Sequence, residues 1–593
     1  MWRAGVVTAF VAGFVAIGSA ADAPAPTFDK EVAPILFKHC ANCHRPGEIG
    51  SAVPLLSYDS ARTWAESIKE KVMLREMPPW PADSSRSMKF RNDRRLSQHD
   101  IDTLVAWVNA GTPQGNDADL PPTPRFSEGW LHPQGLAPDL VIHLPEFHVP
   151  ATGEIPYVGY LAKVPFPDDK WVVAMQLLPG NRAVVHHIAI TEVALDDGVT
   201  HDDLERLARV AHMLGLPKGS IATRPAVADP ANPEEYDMLG VYTPGMNFET
   251  FADDSAKLLK GGKNMYLKFN IHYQTTGKPE ADQSTLALWF RPGPPKHQLF
   301  RVPAADETII ADGKELLTDA PGQKAEGTRV AIPPIPPYAA NYEVTGITAY
   351  PEPVTIYELQ PHAHLRGKDF EYSVVYPDGR EETVLSVPKY DFHWQLAYEL
   401  EKPLELPAGS KLIVTAHYDN SLNNLHLRHH HDTDETAHNI GADKEVYFRE
   451  ANQSWDEMFT PFIQYSIDSQ NPAQPQPGQN QKTKVGQREE QRERHVLDIV
   501  EAVGCLKTSS SGAWMLTDAS DPVVSETQTT SSAEVKAAAE AFGKQQYQLL
   551  GVSVFNPSRD EGQKVAAKGV LIKDGKRSRL NVTSLQMVAS TCL

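Results

Sequence analysis

The sequence predicts a multidomain protein: a small all-α unit, then two consecutive β-sandwich units, then a small β-barrel-like unit. The chain has 593 residues, too many for a single hydrophobic core. Near the N-terminus, apolar residues recur at helical spacing. Beyond residue 130, short runs alternate apolar and polar positions and are separated by Pro and Gly. The net charge of −20, with no Lys/Arg block interleaved with aromatics, argues against nucleic-acid binding.

Residues 1–23 are predicted to be a cleavable signal peptide. They combine Arg3, an apolar run over 6–17 and small residues over 18–23. The run is too short to span a bilayer comfortably, and no later stretch approaches the roughly 20 apolar residues that a span needs. We therefore expect a periplasmic or secreted protein with no stable membrane span; an uncleaved N-terminal anchor is the alternative.

Residues 24–115 are predicted to form the helical unit, and residues 116–134 a Gly-, Pro- and Asp-rich linker. Ser97-Gln98-His99-Asp100 has the pattern of a capping box, and apolar residues follow it at helical spacing until Gly111. Tyr58–Met77 is a second helical candidate.

Residues 135–330 and 331–467 are predicted to be the two sandwiches. Strand-like runs such as "AVVHHIAI", "YLKFNIHY" and "KLIVTAHY" fill this region, and the boundary is placed at the proline-rich "AIPPIPPYAA". Residues 468–494 are polar and low in complexity, which indicates a disordered linker.

Residues 495–593 return to short strands around one helix predicted at Ser532–Phe542, and no ligand is predicted for this unit. Cys505 and Cys592 flank it. In an oxidising compartment they are expected to form a disulfide, with two unpaired thiols as the alternative.

The segment Cys40-Ala41-Asn42-Cys43-His44 is a haem-attachment motif. Its two thiols can form thioethers with one haem, and His44 can ligate the iron. A zinc site would need further ligands nearby, and the chain has no second cysteine pair there. The sixth ligand is sought in "VMLREMPPW", where Met77 precedes two prolines that would stiffen its loop; Met73 and Met88 are the other candidates.

Residues 27–113 resemble the small bacterial c-type cytochromes in "CANCH", "MPPW" and "LVAWVNAGTP". The resemblance implies one covalent haem c bound through Cys40, Cys43, His44 and Met77. A haem with both axial positions filled transfers electrons and does not bind oxygen.

Five further histidines lie in strand-like segments: His186, His187, His272, His362 and His364. The His-x-His spacing places His362 and His364 on one face of a strand. Adjacent residues on a strand point to opposite faces, so His186 and His187 share a metal only at a bulge or a strand end. Imidazole-rich sites without cysteine suit copper or zinc; the alternative is that each histidine is a hydrogen-bonded structural residue.

This ordered set, followed by "SWDEMF", resembles the copper type II, ascorbate-dependent monooxygenases, such as peptidylglycine α-hydroxylating and dopamine β-monooxygenase, over residues 135–466. The resemblance implies two jelly-roll-like sandwiches that bind two coppers. It assigns an electron-transfer copper to His186, His187 and His272, and a catalytic, oxygen-activating copper to His362, His364 and Met458. It also implies hydroxylation of a C–H bond of a small-molecule substrate with O2. Known relatives receive their electrons from ascorbate. The fusion to a cytochrome unit, and not the resemblance, suggests that the haem feeds electrons to the copper pair, with ascorbate or a redox protein as the donor.

The sequence departs from the peptide-amidating relatives at the positions that grip the peptide carboxylate. Gln360, Thr460 and Phe462 stand where those relatives carry Arg, Asn and Tyr. No cation is left for a carboxylate, which argues against peptide amidation and weakly favours an apolar or neutral substrate. The family's disulfides are also missing, because no cysteine lies between Cys43 and Cys505.

Other polar residues near these motifs receive supporting roles. We expect His417 to be structural or to lie just behind the catalytic copper, and Trp455, Asp456 and Glu457 to position Met458. The run His429–His431, with its neighbouring acidic residues, is interpreted as a solvated insertion. The expected function is a haem–copper monooxygenase. The alternatives are a non-catalytic haem/copper electron-transfer protein and a binding module with structural metal ligands.

Overall fold

The computed structural model describes most of the chain between residues 24 and 592. The ranges outside the description within that span are 127–128, 154, 156, 195–236, 247, 253, 320–331, 429–440, 449–453, 470–471, 473–495, 539–540 and 576. The predicted signal peptide, nearly all of the predicted linker at 468–494 and the run His429–His431 therefore lie outside the described residues. Among the residues that are described, no helix combines the length and apolar character needed to cross a bilayer.

A small helical unit comes first, as predicted. A π-helical turn at Phe28–Val32 leads into α1 (Ala33–His39), α2 (Tyr58–Thr63), α3 (Ala65–Met73) and α4 (Gln98–Asn109). The capping box is confirmed: the Ser97 hydroxyl accepts from the Asp100 N–H, and the Asp100 carboxylate accepts from the Ser97 N–H. The predicted helix over Tyr58–Met77 is interrupted at Trp64 and ends at Met73.

Two sheets enclose the core of the next unit. One has the order β1-β11-β4-β8-β12, with β7 paired to β4; the other has the order β3-β9-β5-β6, and β2 pairs with β10. Apolar residues of both sheets, including Leu286, Leu288, Ile188 and Phe269, share one core. The strands are β1 (Leu140–His143), β2 (Phe147–Val149), β3 (Val158–Lys163), β4 (Lys170–Leu178), β5 (Val185–Ala194), β6 (Met238–Tyr242), β7 (Glu249–Thr250), β8 (Ser255–Leu259), β9 (Met265–Tyr273), β10 (Glu280–Asp282), β11 (Thr285–Arg291) and β12 (His297–Gln298).

The following unit is also built from two sheets around one core, with orders β13-β22-β17-β20 and β15-β14-β16-β21-β18-β19. Its first strands precede the proline-rich segment at which the sequence places the boundary, so that segment lies inside the unit. The strands are β13 (Phe300–Pro303), β14 (Thr308–Ala311), β15 (Lys314–Glu315), β16 (Tyr342–Tyr350), β17 (Val354–Gln360), β18 (Gly367–Val375), β19 (Glu381–Val387), β20 (Tyr398–Leu406), β21 (Ser410–Tyr418) and β22 (Phe462–Ile467), with a one-turn helix α5 (Leu425–Arg428) before β22.

A six-stranded sheet forms the C-terminal unit, in the order β24-β26-β28-β27-β23-β25. An additional pairing of β24 with β23 joins five of these strands into a ring. Cys505 and Cys592 form the expected disulfide. The elements are β23 (Ile499–Thr508), β24 (Trp514–Ala519), β25 (Val523–Val524), α6 (Ser532–Ala537), β26 (Gln545–Leu550), β27 (Lys564–Asp574) and β28 (Arg577–Ala589).

The helical unit is docked onto both sandwiches. Trp80 and Phe90 are buried in the core of the second sandwich, where Trp80 packs on Tyr398 with ring centroids 4.9 Å apart. The unit also contacts the first sandwich, where the Glu48 carboxylate accepts from the Arg182 guanidinium at 3.0 Å. The haem-attachment segment and the candidate metal ligands therefore belong to units in direct contact.

Candidate metal centres

A β-bulge brings the two adjacent histidines to the same side of their strand. In the pairing of β5 with β9, Val185 lies opposite Tyr273 and His187 lies opposite His272, so His186 is the extra residue. A bulged residue bends the strand and breaks the alternation of faces. This is the local feature that the adjacent pair requires if both imidazoles are to reach one ion.

His186, His187 and His272 form a compact buried triad. One ring nitrogen from each lies within 4.8 Å of those of the other two. Their ring centroids are 4.9 to 5.5 Å apart, and the Nδ1 atoms of His186 and His187 are separated by 3.2 Å. Such a set can surround a single metal ion.

His362 and His364 lie in the loop that follows β17, whereas the spacing predicted a strand. Each ring is oriented through its Nδ1 atom. His362 Nδ1 lies 2.7 Å from Gln395 Oε1, and His364 Nδ1 lies 3.0 Å from the Asp456 carbonyl oxygen. An N–H on Nδ1 that donates to these oxygens leaves Nε2 with a lone pair for a metal, as is usual for ligating histidines. His364 Nε2 is buried and has no hydrogen-bond partner among the described residues.

Glu457 fixes the loop that carries His364. Its side chain is fully buried, and its carboxylate accepts from the backbone N–H groups of His364, Arg366 and Met458 at 2.8, 2.6 and 3.2 Å. Burial raises the pKa of Glu457 to about 7. The "SWDEMF" segment thus holds the histidine loop as well as Met458.

Met458 is half-buried and lies between Glu457 and Phe459 in the segment that packs beside the His-x-His loop. Its carbonyl oxygen accepts from the Tyr418 hydroxyl at 2.8 Å. Two residues later, the Thr460 N–H donates to the His362 carbonyl oxygen at 3.3 Å. The structure therefore brings the backbone of Met458 next to the backbone of His362 and His364.

The two histidine sets adjoin where the sandwiches meet. The rings of His187 and His362 have centroids 6.4 Å apart. The ring of Tyr157 lies 4.6 Å from His272, 5.3 Å from His187 and 6.1 Å from His364. Tyr157 and the orienting Gln395 were not predicted as site residues, because neither lies in a strand-like run or a recognisable spacing.

Burial keeps the imidazoles of His186, His187, His362 and His364 neutral. It lowers the pKa of His186 and of His364 to about 3 and that of His362 to about 4, and it places the pKa of His187 well below its usual range. Neutral imidazoles are the form that binds metals. His186 Nε2, like His364 Nε2, is buried without a hydrogen-bond partner among the described residues. A nitrogen-rich donor set of this kind fits copper or zinc.

His417 does not belong to this group. Its Nδ1 lies 2.6 Å from Asp369 Oδ1, and its Nε2 lies 3.3 Å from Glu343 Oε2. These two carboxylates raise its pKa to about 9. With both ring nitrogens engaged, His417 has the structural role that the sequence favours.

The haem-attachment segment begins at the end of α1. His44 Nδ1 lies 2.9 Å from the Val53 carbonyl oxygen, which leaves Nε2 for the iron. Gly50 lies against this ring: a Cβ atom there would come within 2.8 Å of His44 Nδ1 and of the Cys43 carbonyl oxygen. The residues present therefore fit a haem held by Cys40, Cys43 and His44.

The three candidate methionines have different surroundings. Met73 is 58% exposed, and Met88 packs against the core of the second sandwich. Met77 lines a cavity of about 880 Å³ between the helical unit and the second sandwich. Cys40, Cys43 and His44 are not among the residues that line this cavity, so the assignment of Met77 as the sixth ligand stays a prediction.

Comparison with known proteins identifies the helical unit only. The family model of cytochrome c matches residues 32–112, a range that contains Cys40, Cys43, His44 and Met77. A cytochrome c domain implies haem c and haem-based electron transfer. No curated protein matches the chain. The copper assignment therefore depends on the histidines and their geometry.

Proposed function

We propose that this protein is a haem–copper monooxygenase that hydroxylates a C–H bond of a small molecule with O2. One observation carries the proposal: four buried imidazoles and the half-buried His362, from two sandwiches, meet at one place beside a docked cytochrome c domain. His186, His187 and His272 would hold one copper, and His362, His364 and Met458 the other. A thioether ligand favours Cu(I), the form that reacts with O2, whereas three imidazoles suit one-electron cycling.

The reaction consumes one O2, two electrons and two protons, and it converts a C–H bond into C–OH with release of water. Bound copper would supply the redox chemistry, with one electron stored at each ion. The protein residues hold and enclose the site. Gln395, Asp456 and Glu457 fix the His-x-His loop, while the rings of Tyr157, Phe392 and Phe462 surround the imidazoles and limit the access of water.

The docked position of the helical unit supports haem as the point of electron entry. Glu48, four residues after His44, binds Arg182, which lies four residues before His186. Ascorbate or a redox protein would reduce the haem. The substrate is expected to be small and apolar or neutral. Gln360 and Phe462, which lie close to His362 where the peptide-amidating relatives carry Arg and Tyr, are both uncharged. Haem attachment and the disulfide support a periplasmic or secreted location.

The alternative is an electron-transfer protein without oxygenase activity, which the cytochrome c match by itself also supports. Substrate-dependent O2 uptake separates the two functions. Copper-loaded protein with ascorbate should consume O2 when small neutral substrates are supplied, and His364→Ala should abolish the uptake. Copper and haem that cycle without O2 uptake across a broad panel of substrates would favour the electron-transfer function.

A further inference from the structure

We propose that Asp391, His393 and His426 form a third metal site, for a divalent transition-metal ion such as Cu(II) or Zn(II). One ligand atom from each lies within 4.8 Å of those of the other two. Two imidazoles and one carboxylate are a donor set that these ions accept.

The three residues come from two separate parts of the second sandwich. Asp391 and His393 lie in the loop between β19 and β20, and His426 lies in α5. The His393 N–H donates to Asp391 Oδ1 at 2.9 Å, which folds the loop back on itself. His426 Nε2 lies 3.6 Å from Asp391 Oδ1, and the rings of His393 and His426 have centroids 5.2 Å apart. The loop and the helix therefore present the donors to a common point.

An ion pair between Asp391 and His426 alone would not place His393 there. His393 is exposed, yet its ring centroid lies 5.2 Å from that of His426 and 5.7 Å from that of the buried His186. Three donors that converge from two segments favour a coordinated ion.

The proposed third site lies next to the buried triad of His186, His187 and His272. Phe392, between the two loop ligands, stacks on His186 at 5.1 Å and lies 5.8 Å from His272. Asp391 and His426 also line the cavity that Met77 lines. A bound ion would therefore restrain the loop between β19 and β20, which packs on the histidine triad through Phe392 and lies beside the helical unit.

Metal titration of the full haem-loaded chain tests the site. The chain is first stripped of metal and then titrated with Cu(II), and separately with Zn(II), against a competing chelator. The variants are His426→Gln and the nearly isosteric Asp391→Asn. His148→Gln is the matched control, because His148 is an exposed histidine beside Glu146 at 3.4 Å. All variants keep His429–His431, so any metal ion bound by that run contributes equally to every titration.

Wild-type and His148→Gln chains should bind one more equivalent than His426→Gln. The Cu(II) electron paramagnetic resonance spectrum of that equivalent should show nitrogen coupling. Asp391→Asn should lower the affinity for this equivalent at least tenfold, since even residues behind the ligands change metal affinity by about 10–100-fold. Equal stoichiometry and affinity in all four chains would overturn the proposal. Circular dichroism and the haem absorption spectrum report folding, and Asp391→Asn keeps the test decisive if His426→Gln misfolds. None of these readouts uses oxygenase activity.

Discussion

At the scale of the residue, the site depends on what lies behind each imidazole. Gln395 and the Asp456 carbonyl orient His362 and His364, and the Val53 carbonyl orients His44. The same arrangement, an oxygen on Nδ1 and a lone pair on Nε2, therefore recurs at the haem and at the His-x-His loop. The candidate histidines could be picked out from the sequence. Their orienting partners could not, because two of them are backbone carbonyls, which carry no residue signature, and Gln395 lies 33 residues from His362.

Met458→Ala should abolish hydroxylation and leave the haem spectrum unchanged. Without the thioether, the ligands expected at the oxygen-activating copper reduce to two imidazoles, and the preference for Cu(I) weakens. Product formation and the haem absorption spectrum are measured on the same samples. Met587→Ala, an exposed methionine of the C-terminal unit, is the control. Continued hydroxylation by Met458→Ala would show that another residue fills this position.

His417→Gln should destabilise the second sandwich in a pH-dependent way. Asp369 and Glu343 raise the folded-state pKa of His417 to about 9, above the unfolded value near 6.5. The stabilisation is therefore complete below pH ~6.5 and is lost as the pH rises through about 9. We expect the substitution to lower the free energy of unfolding by about 1–2 kcal/mol at pH 6 and by little at pH 10. The value at pH 6 is smaller than the pKa shift alone implies, because the side chains are partly exposed to solvent. Urea unfolding at both pH values measures the difference; equal losses would contradict the assignment.

At the scale of the element, the bulge in β5 decides whether the triad can exist. The sequence shows that His186 and His187 are adjacent and so would point to opposite faces. A bulge depends on the register with β9, which lies some 80 residues later and leaves no local mark in "AVVHHIAI". The His-x-His spacing predicts two rings on one face of a strand, but the pair lies in the loop after β17, where Gln395, Asp456 and Glu457 orient it. The Asp391, His393 and His426 cluster could not be predicted, because its members meet only through the packing of a loop and a short helix.

Three strands of the two sandwiches are joined by one buried cation. Arg301 of β13 pairs with Glu249 of β7 and with Glu358 of β17, the latter at 2.9 Å. Arg301→Met would remove the cation from the buried Glu358 and the half-buried Glu249, and should lower the free energy of unfolding by about 3–5 kcal/mol. The triple variant Arg301→Met, Glu249→Gln, Glu358→Gln should recover most of the loss. Arg291→Met is the comparison variant, because Arg291 forms a partly exposed ion pair with Asp254. It should lower the free energy of unfolding by less than about 1 kcal/mol. Urea unfolding measures all three; a similar cost for the two single variants would contradict this role.

At the scale of the whole molecule, the aromatic residue of the "MPPW" motif serves as the docking contact. Trp80 packs on Tyr398 and Phe90 inside the core of the second sandwich. The predicted domain order is retained, but residues 80–92 pair with the second sandwich. The backbone N–H of Asp83, for example, donates to the Ser386 carbonyl at 2.8 Å. Sequence patterns predict each unit from local spacing and cannot show which unit a connecting segment packs against.

Trp80→Ala should slow the transfer of electrons from the haem to copper while leaving the haem spectrum unchanged. Removing this buried Trp side chain should destabilise the contact between the helical unit and the second sandwich by about 3–5 kcal/mol. Stopped-flow spectroscopy follows oxidation of the reduced haem by Cu(II)-loaded protein. Trp64→Ala, an exposed tryptophan of the same helical unit, is the control. Equal rates in both variants would show that the docked arrangement is not the route of transfer.

The copper content of the purified chain tests the central claim most directly, which is that two histidine sets bind two coppers beside the haem. The measurement is made in the His426→Gln background, so that the proposed third site does not contribute. This chain should hold two copper ions per haem iron, and His187→Ala and His364→Ala should each lose one. Copper that is absent, or that both variants retain in full, would contradict the account.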